Sequence, residues 1–284
     1  MQKTERLFAI KRSLTREILG WTGVLLFSVF LTSCGTAETP ENAGNRESGR
    51  QLRPKIAEGL QLLREKNYEK AGEKIFELLA QDPDDVEALS VMGLVYVKQG
   101  RLMDASKLAK RSLEIDPDQS LPYSVLARAK FQTSGFEEAL DLARQALRID
   151  PKAFPAYKVI GEVYLRQGLI KDALTVFKEA IKLEPGDPDM LNLLGSGYIK
   201  AKQYDNALQI LLKAQEIDPN LPGVHFNLAL VYAHFQEGKK AMKHIDRAEY
   251  LYGEAENKPW MGKTRDIKRL LAKKFKFTAD DIVS

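Results

Sequence analysis

The chain has 284 residues, 44% of them hydrophobic and 29% charged, which is the balance of a chain able to fold around a sizeable core and not that of a disordered one. Its formal charge of +4 is unevenly placed: residues 1–33 hold five basic residues against two acidic, residues 256–284 hold eight against four, and the stretch between is slightly acidic. That distribution excludes the basic stripe of a nucleic-acid binder, and the single cysteine, Cys34, excludes an intramolecular disulfide or a zinc site built from cysteines.

In chain order, a basic lead over residues 1–17 is followed by residues 18–31, which carry no charge, and then by Leu31-Thr32-Ser33-Cys34. A positive start, an apolar run of roughly 7–15 residues and small residues at a cleavage point are the parts of an export signal. The run is shorter than the ~20 residues that span a bilayer. Leu31-Thr32-Ser33-Cys34 resembles the lipobox of bacterial lipoproteins. The resemblance implies that residues 1–33 are a signal peptide removed on export, and that Cys34 becomes the first residue and is acylated with palmitate and similar chains. Several acyl chains anchor stably where one is marginal, at ~0.8 kcal/mol per buried methylene. Gly35, where an aspartate would favour retention in the inner membrane, points through the same resemblance to a periplasm-facing position on the outer membrane. An uncleaved signal anchor is the alternative, because the uncharged stretch continues through Gly35, Thr36 and Ala37. Residues 34–51 have almost no apolar side chains and are expected to form a flexible tether.

The next 204 residues repeat. Prolines stand at 83, 117, 151, 185 and 219, each 34 residues from the last; small residues recur in the same phase at Gly59, Gly93, Ala127, Gly161, Gly195 and Ala229, and alanines at Ala71, Ala105, Ala139, Ala173, Ala207 and Ala241. Within a unit, two apolar runs have helical spacing, for example Met92, Val95 and Tyr96, then Leu102, Ala105 and Ala109. They meet at turns such as Gln99-Gly100 and Gln167-Gly168, and the proline stops the second helix. A lone helix pair cannot bury both faces, so each copy needs the next and the copies stack.

These residues resemble the tetratricopeptide repeat (TPR). In residues 154–187 the family's small eighth residue is Gly161, its aromatic eleventh Tyr164, its twentieth Ala173, its twenty-fourth Phe177, its twenty-seventh Ala180 and its proline Pro185. Six copies follow (52–85, 86–119, 120–153, 154–187, 188–221 and 222–255). The end copies depart, with Glu58 at an apolar position of the first and Gly253 in place of the sixth proline, as terminal repeats commonly do. The implied fold is all-α, a right-handed superhelical solenoid of about six TPR helix pairs with a C-terminal capping helix. Residues 256–284 supply that helix and a basic tail, with Ile267, Leu270, Leu271 and Phe275 expected on the packed face and Arg265, Lys268, Arg269, Lys273 and Lys274 on the outer one.

In such an array the first helix of each pair lines the concave side, so its fifth, ninth and twelfth residues face a groove. They are Ile56, Leu60, Leu63; Ser90, Leu94, Val97; Ser124, Arg128, Phe131; Lys158, Glu162, Leu165; Asn192, Ser196, Ile199; and Phe226, Leu230, Ala233. The groove is then apolar at its ends and polar in the middle, suited to an extended or helical peptide with an apolar anchor and one or two charges. Arg64, Lys98, Arg166 and Lys200 close first helices, where the helix dipole favours a cation. The carboxylate clamp of the chaperone-binding members is absent, because Glu162 opposes its second place and Leu193 occupies the next.

No catalytic constellation stands out. His225, His234 and His244 lack metal-ligand spacing, and no nucleophile-base arrangement or phosphate-cradling glycine loop is present. The expected protein is a non-enzymatic, cofactor-free scaffold or adaptor, lipid-anchored in the bacterial cell envelope, that holds other proteins in its groove. Pilus or secretion assembly and recruitment of cell-wall enzymes are the roles its architecture implies. The other reading is a signal-anchored periplasmic chaperone or assembly factor for secreted proteins.

Overall fold

The computed structural model describes residues 53–277. The export signal, Cys34, the tether and residues 278–284 lie outside the described residues. Among those described there are thirteen helices and no strand. They run α1 (Pro54–Arg64), α2 (Tyr68–Leu79), α3 (Val86–Lys98), α4 (Leu102–Ile115), α5 (Ser120–Gln132), α6 (Phe136–Ile149), α7 (Phe154–Arg166), α8 (Ile170–Leu183), α9 (Pro188–Lys200), α10 (Tyr204–Ile217), α11 (Pro222–His234), α12 (Gly238–Glu254) and α13 (Lys258–Phe275). They form six antiparallel pairs and a final single helix, stacked in a superhelix. No helix here is long and apolar enough to cross a membrane.

The periodic small residues set the approach of the two helices in a pair. All six periodic alanines on the second helices are fully buried. Opposite them, a Cβ on Gly59 would stand 2.7 Å from Ile75, one on Gly195 2.6 Å from Leu211, and one on Gly161 would overlap the Phe177 ring. Each glycine thus accepts a large side chain from its partner helix. Where the partner residue is small, as at Ala109 against Gly93, Val125 of the next copy fills the space, 3.2 Å from where a Cβ would be. One copy therefore completes the packing of another.

A second periodic device joins the helices of each pair. The residue before the second helix's cap has positive φ in every copy: Lys66, Gly100, Ser134, Gly168, Lys202 and Gln236. Only two of these are glycine, the residue that adopts that conformation without strain. First helices begin on caps where the sequence permits: Asp85 accepts from the backbone N–H of Ala88 and Asp187 from that of Met190.

Helix α13 stands where a seventh first helix would, packed on α12, with Leu271 and Thr264 buried and Phe275 lying over Gly238. The expected apolar face is corrected at one position. Leu270 is 62% exposed, because Ile267, Leu271 and Phe275 follow one another at four-residue steps and Leu270 falls to the side of that line. On the basic face Arg265, Arg269, Lys273 and Lys274 are exposed, and several of its cations find partners in the fold: Lys268 pairs with Asp246 at 2.7 Å, Arg265 with Glu249 at 2.7 Å, and Lys274 donates to the Ala233 carbonyl. Much of this positive charge is already spoken for within the fold.

The packing at Gly161 yields a direct test. Gly161→Ala forces Phe177, a fully buried ring, out of its site, and is expected to lower stability by about 1–3 kcal/mol through overpacking. Urea unfolding should show the loss, and Phe177→Leu in the same chain should return part of it.

Candidate functional site: the inner face of the first helices

The array curves far enough for distant copies to meet. Lys66, in the turn between α1 and α2, pairs at 2.7 Å with Asp218, the cap of α10, 152 residues away. First helices face the inside of that curve. Lys98 of α3 feels Asp187 and Asp189 of α9, Lys158 of α7 and Arg128 of α5, and the Tyr68 phenol feels Asp189 and Lys66.

Most charged residues expected in the groove are paired with one another. Arg128 meets Glu162 at 2.5 Å from the neighbouring first helix and also lies 5.3 Å from the Phe131 ring centre. Lys158 meets the capping carboxylate of Asp187 at 2.9 Å and stands 5.0 Å from the Phe154 ring. Asn227 donates to Asn192 at 2.8 Å. Bonds of this kind bridge successive first helices and leave the polar middle of the groove close to neutral. Among the described residues, Lys98 has no ion pair or side-chain hydrogen bond. Desolvation lowers its pKa, and Lys158 and Arg128 lower it further, while Asp189 and Asp187 pull it up. Its side chain is nonetheless open to water, since protein surrounds it across the curve without covering it.

The apolar candidates divide. Leu60, Leu94, Phe131, Leu165, Ile199 and Phe226 are half-buried and rest on the inter-helix core, and Leu230 and Ser196 are also half-exposed. Val97 and Ser124 are buried, as are Ile56, Leu63, Ser90 and Ala233; these six lie within the packing, not on the groove surface. Ser124 donates to the Ser120 carbonyl inside its own helix, and Ser90 bonds Ser112 across its pair. Phe226 meets the edge of Trp260, which in turn stacks on Tyr252, so α13 closes the groove at its far end. Two surface depressions, of about 450 and 770 Å³, line α4 and lie apart from these residues. Among the described residues, no group of three or more His, Cys, Asp or Glu is placed to hold a metal ion.

One pairing escapes a reading of sequence spacing. His225 of α11 and His244 of α12 are 19 residues apart, yet their Nδ1 atoms stand 2.9 Å from each other. The Pro219 carbonyl lies 2.9 Å from His225 Nε2 and can only accept. His225 therefore carries its proton on Nε2, and His244 Nδ1–H donates to the bare Nδ1 of His225. A column-by-column comparison of the copies would have exposed the pair, since the same two positions hold Leu89 with Leu108, and Tyr123 with Leu142, in earlier copies.

Burial holds His244 down to about 4, with His225 and Lys243 adding to the shift. His225 is lowered as well, chiefly by burial and secondarily by Arg247, against Pro219 and Asp218. A histidine whose folded pKa is depressed contributes stability that is present above its unfolded pKa of about 6.5 and is lost as pH falls towards the folded value. The sixth pair is thus expected to lose on the order of 1–2 kcal/mol between about pH 6.5 and 4, a figure discounted for partial solvent screening. Thermal melts across that range should show the loss in the parent chain and a smaller one in His244→Leu.

Comparison with known proteins agrees with this architecture. Family models described as tetratricopeptide repeat match residues 62–129, 124–188 and 159–222. No curated protein matches. A chain of the APC/C hetero-tetramer Cut9–Hcn1 superposes with a TM-score of 0.61 at 19% identity, covering 74% of this chain and 42% of that one. The pilF protein of Pseudomonas aeruginosa does so at 0.55 and 17%, covering 75% and 96%. A thermophilic TPR protein of Thermus thermophilus gives 0.54 and 25%, covering 63% and 97%. At such identities the first two likenesses speak for the fold. The matched stretches run without a gap from 62 to 222, more than half of the chain, and the chain belongs to the tetratricopeptide repeat family.

Proposed function

We propose that this protein is a scaffold of the bacterial cell envelope, lipid-anchored through Cys34 and facing the periplasm, that holds a partner protein along the inner face of its first helices. One observation carries the binding half of this reading. Leu60, Leu94, Arg128, Phe131, Lys158, Glu162, Leu165, Asn192, Ser196, Ile199, Phe226 and Leu230 remain half-exposed on the inner face, where a monomer's own packing leaves them unfinished. Their charges are mutually satisfied, so a partner engages them through apolar anchors and through replacement of existing pairs. The envelope half rests on the export signal that ends in Leu31-Thr32-Ser33-Cys34. Outer-membrane placement, with Gly35 after the cysteine, and a role in pilus or secretion assembly or in recruiting cell-wall enzymes belong to this proposal.

Two variants test the halves separately in crosslinked cells. Parent chain grown with labelled palmitate should carry the label and lose residues 1–33, and Cys34→Ala should carry no label while still recovering its partner from extracts; an unlabelled, full-length parent chain in the membrane would overturn the lipid anchor in favour of an uncleaved signal anchor. Ser196→Arg, which places a large charged side chain in the groove, should keep the fold and the anchor and lose the partner. An unchanged set of recovered proteins would contradict binding in the groove.

A further inference from the structure

The six copies can be read against one another, and the second and third break the pattern at one place. The eleventh residue of a copy is an aromatic ring in four of six: Tyr96, Tyr164, Tyr198 and Tyr232. Each of these rings shares a packed cluster with the residue that opens the second helix of the preceding copy: Tyr96 with Tyr68, Tyr164 with Phe136, Tyr198 with Ile170 and Tyr232 with Tyr204. In the third copy the eleventh residue is Lys130. Its ammonium pairs with Glu138 at 2.9 Å and supplies no ring, so Leu102, the opening residue of the preceding second helix, is left without one. The result is a depression of about 450 Å³ between α4 and α5.

A second departure falls at the same spot. The eighteenth residue of a copy is charged in five of six (Glu69, Glu137, Lys171, Asp205 and Lys239), and in the second copy it is Met103. Met103 is 88% exposed and lies against the depression with Leu102 and Ala129. The wall is almost wholly apolar, and Lys107, Lys110 and Lys130 also line it. Lys107 and Lys110 make no ion pair among the described residues. A missing ring, an added flexible thioether and free cations thus coincide in one depression.

We propose that this depression between α4 and α5 is a docking site, separate from the groove, for a partner segment that inserts an aromatic side chain with acidic residues beside it. The inserted ring takes the place the array's own tyrosine fills in other copies, resting on Leu102 and Ala129. Met103 suits the rim because an unbranched thioether adapts its shape to a ring and makes favourable sulfur-aromatic contacts. The carboxylates neighbouring the ring meet Lys107 and Lys110, which explains why the occupant is acidic. A basic aromatic segment is disfavoured by the same cations.

The test uses the full chain and two labelled pentapeptides as probes, Asp-Asp-Phe-Asp-Asp and Asp-Asp-Ala-Asp-Asp, with binding followed by fluorescence anisotropy. The phenylalanine peptide should bind the parent chain at least about tenfold more tightly than the alanine peptide. Lys130→Tyr refills the depression, so it should keep or raise the melting temperature while reducing the phenylalanine peptide to the level of its alanine counterpart. Met103→Glu, at a largely exposed position where folding is not at stake, should weaken the phenylalanine peptide in the same direction. Equal affinity of the two peptides would show attraction by charge alone and overturn the site. So would no binding to the parent chain, or full binding by folded Lys130→Tyr or Met103→Glu protein.

Discussion

Everything in this molecule depends on how closely the two helices of a pair approach. Ala71, Ala105, Ala139, Ala173, Ala207 and Ala241 carry no bulk beyond Cβ, and Gly59, Gly161 and Gly195 accept Ile75, Phe177 and Leu211 into space that a single methyl would occupy. That approach fixes the angle at which one copy leaves the next, and the repeated angle bends the array until Lys66 of the first copy reaches Asp218 of the fifth. The inner face is a consequence of this curvature. A change at a position-eight glycine therefore acts on the groove without touching it.

Curvature also changes the electrostatics of the inner face. On an isolated helix the charges of Arg128, Lys158 and Glu162 would be solvated and free to meet a ligand. Bent inward, they find each other: Arg128 pairs with Glu162, and Lys158 with the carboxylate that caps α9. A buried or half-buried pair is costly to break from one side, because the partner left behind keeps its charge without compensation. A ligand for this groove must supply both signs or leave the pairs in place and use the apolar positions between them. Lys98 is the exception, open to water and without a carboxylate of its own among the described residues.

Much of the fold was legible because a 34-residue phase writes the same physical demand six times. Five prolines, six small residues and six alanines in register identify the helix pairs, their order and the close contacts. What was hidden had one of three physical causes. Lys66, Ser134, Lys202 and Gln236 adopt the left-handed turn that glycine signals at Gly100 and Gly168, so residue type alone conceals a turn that position reveals. Burial separates Val97 and Ser124 from Arg128 and Glu162, although spacing puts all four on one face; a helix packed on both sides has no single outer stripe. Contacts made only through the stack, such as His225 with His244 and Lys66 with Asp218, join residues that no local window contains. The depression beside Lys130 was hidden differently, since it arises from a ring that is missing.

If each copy is completed by its neighbours, stability should be graded along the chain and not shared evenly. Native-state hydrogen exchange, resolved to single amides, measures this most directly. The account predicts the slowest exchange in helices α5 to α10, which have neighbours on both sides, with protection falling towards α1 at the start and towards α13 at the end. Uniform protection from Pro54 to Phe275, lost in a single step as denaturant is added, would contradict an array held together by contacts between neighbours.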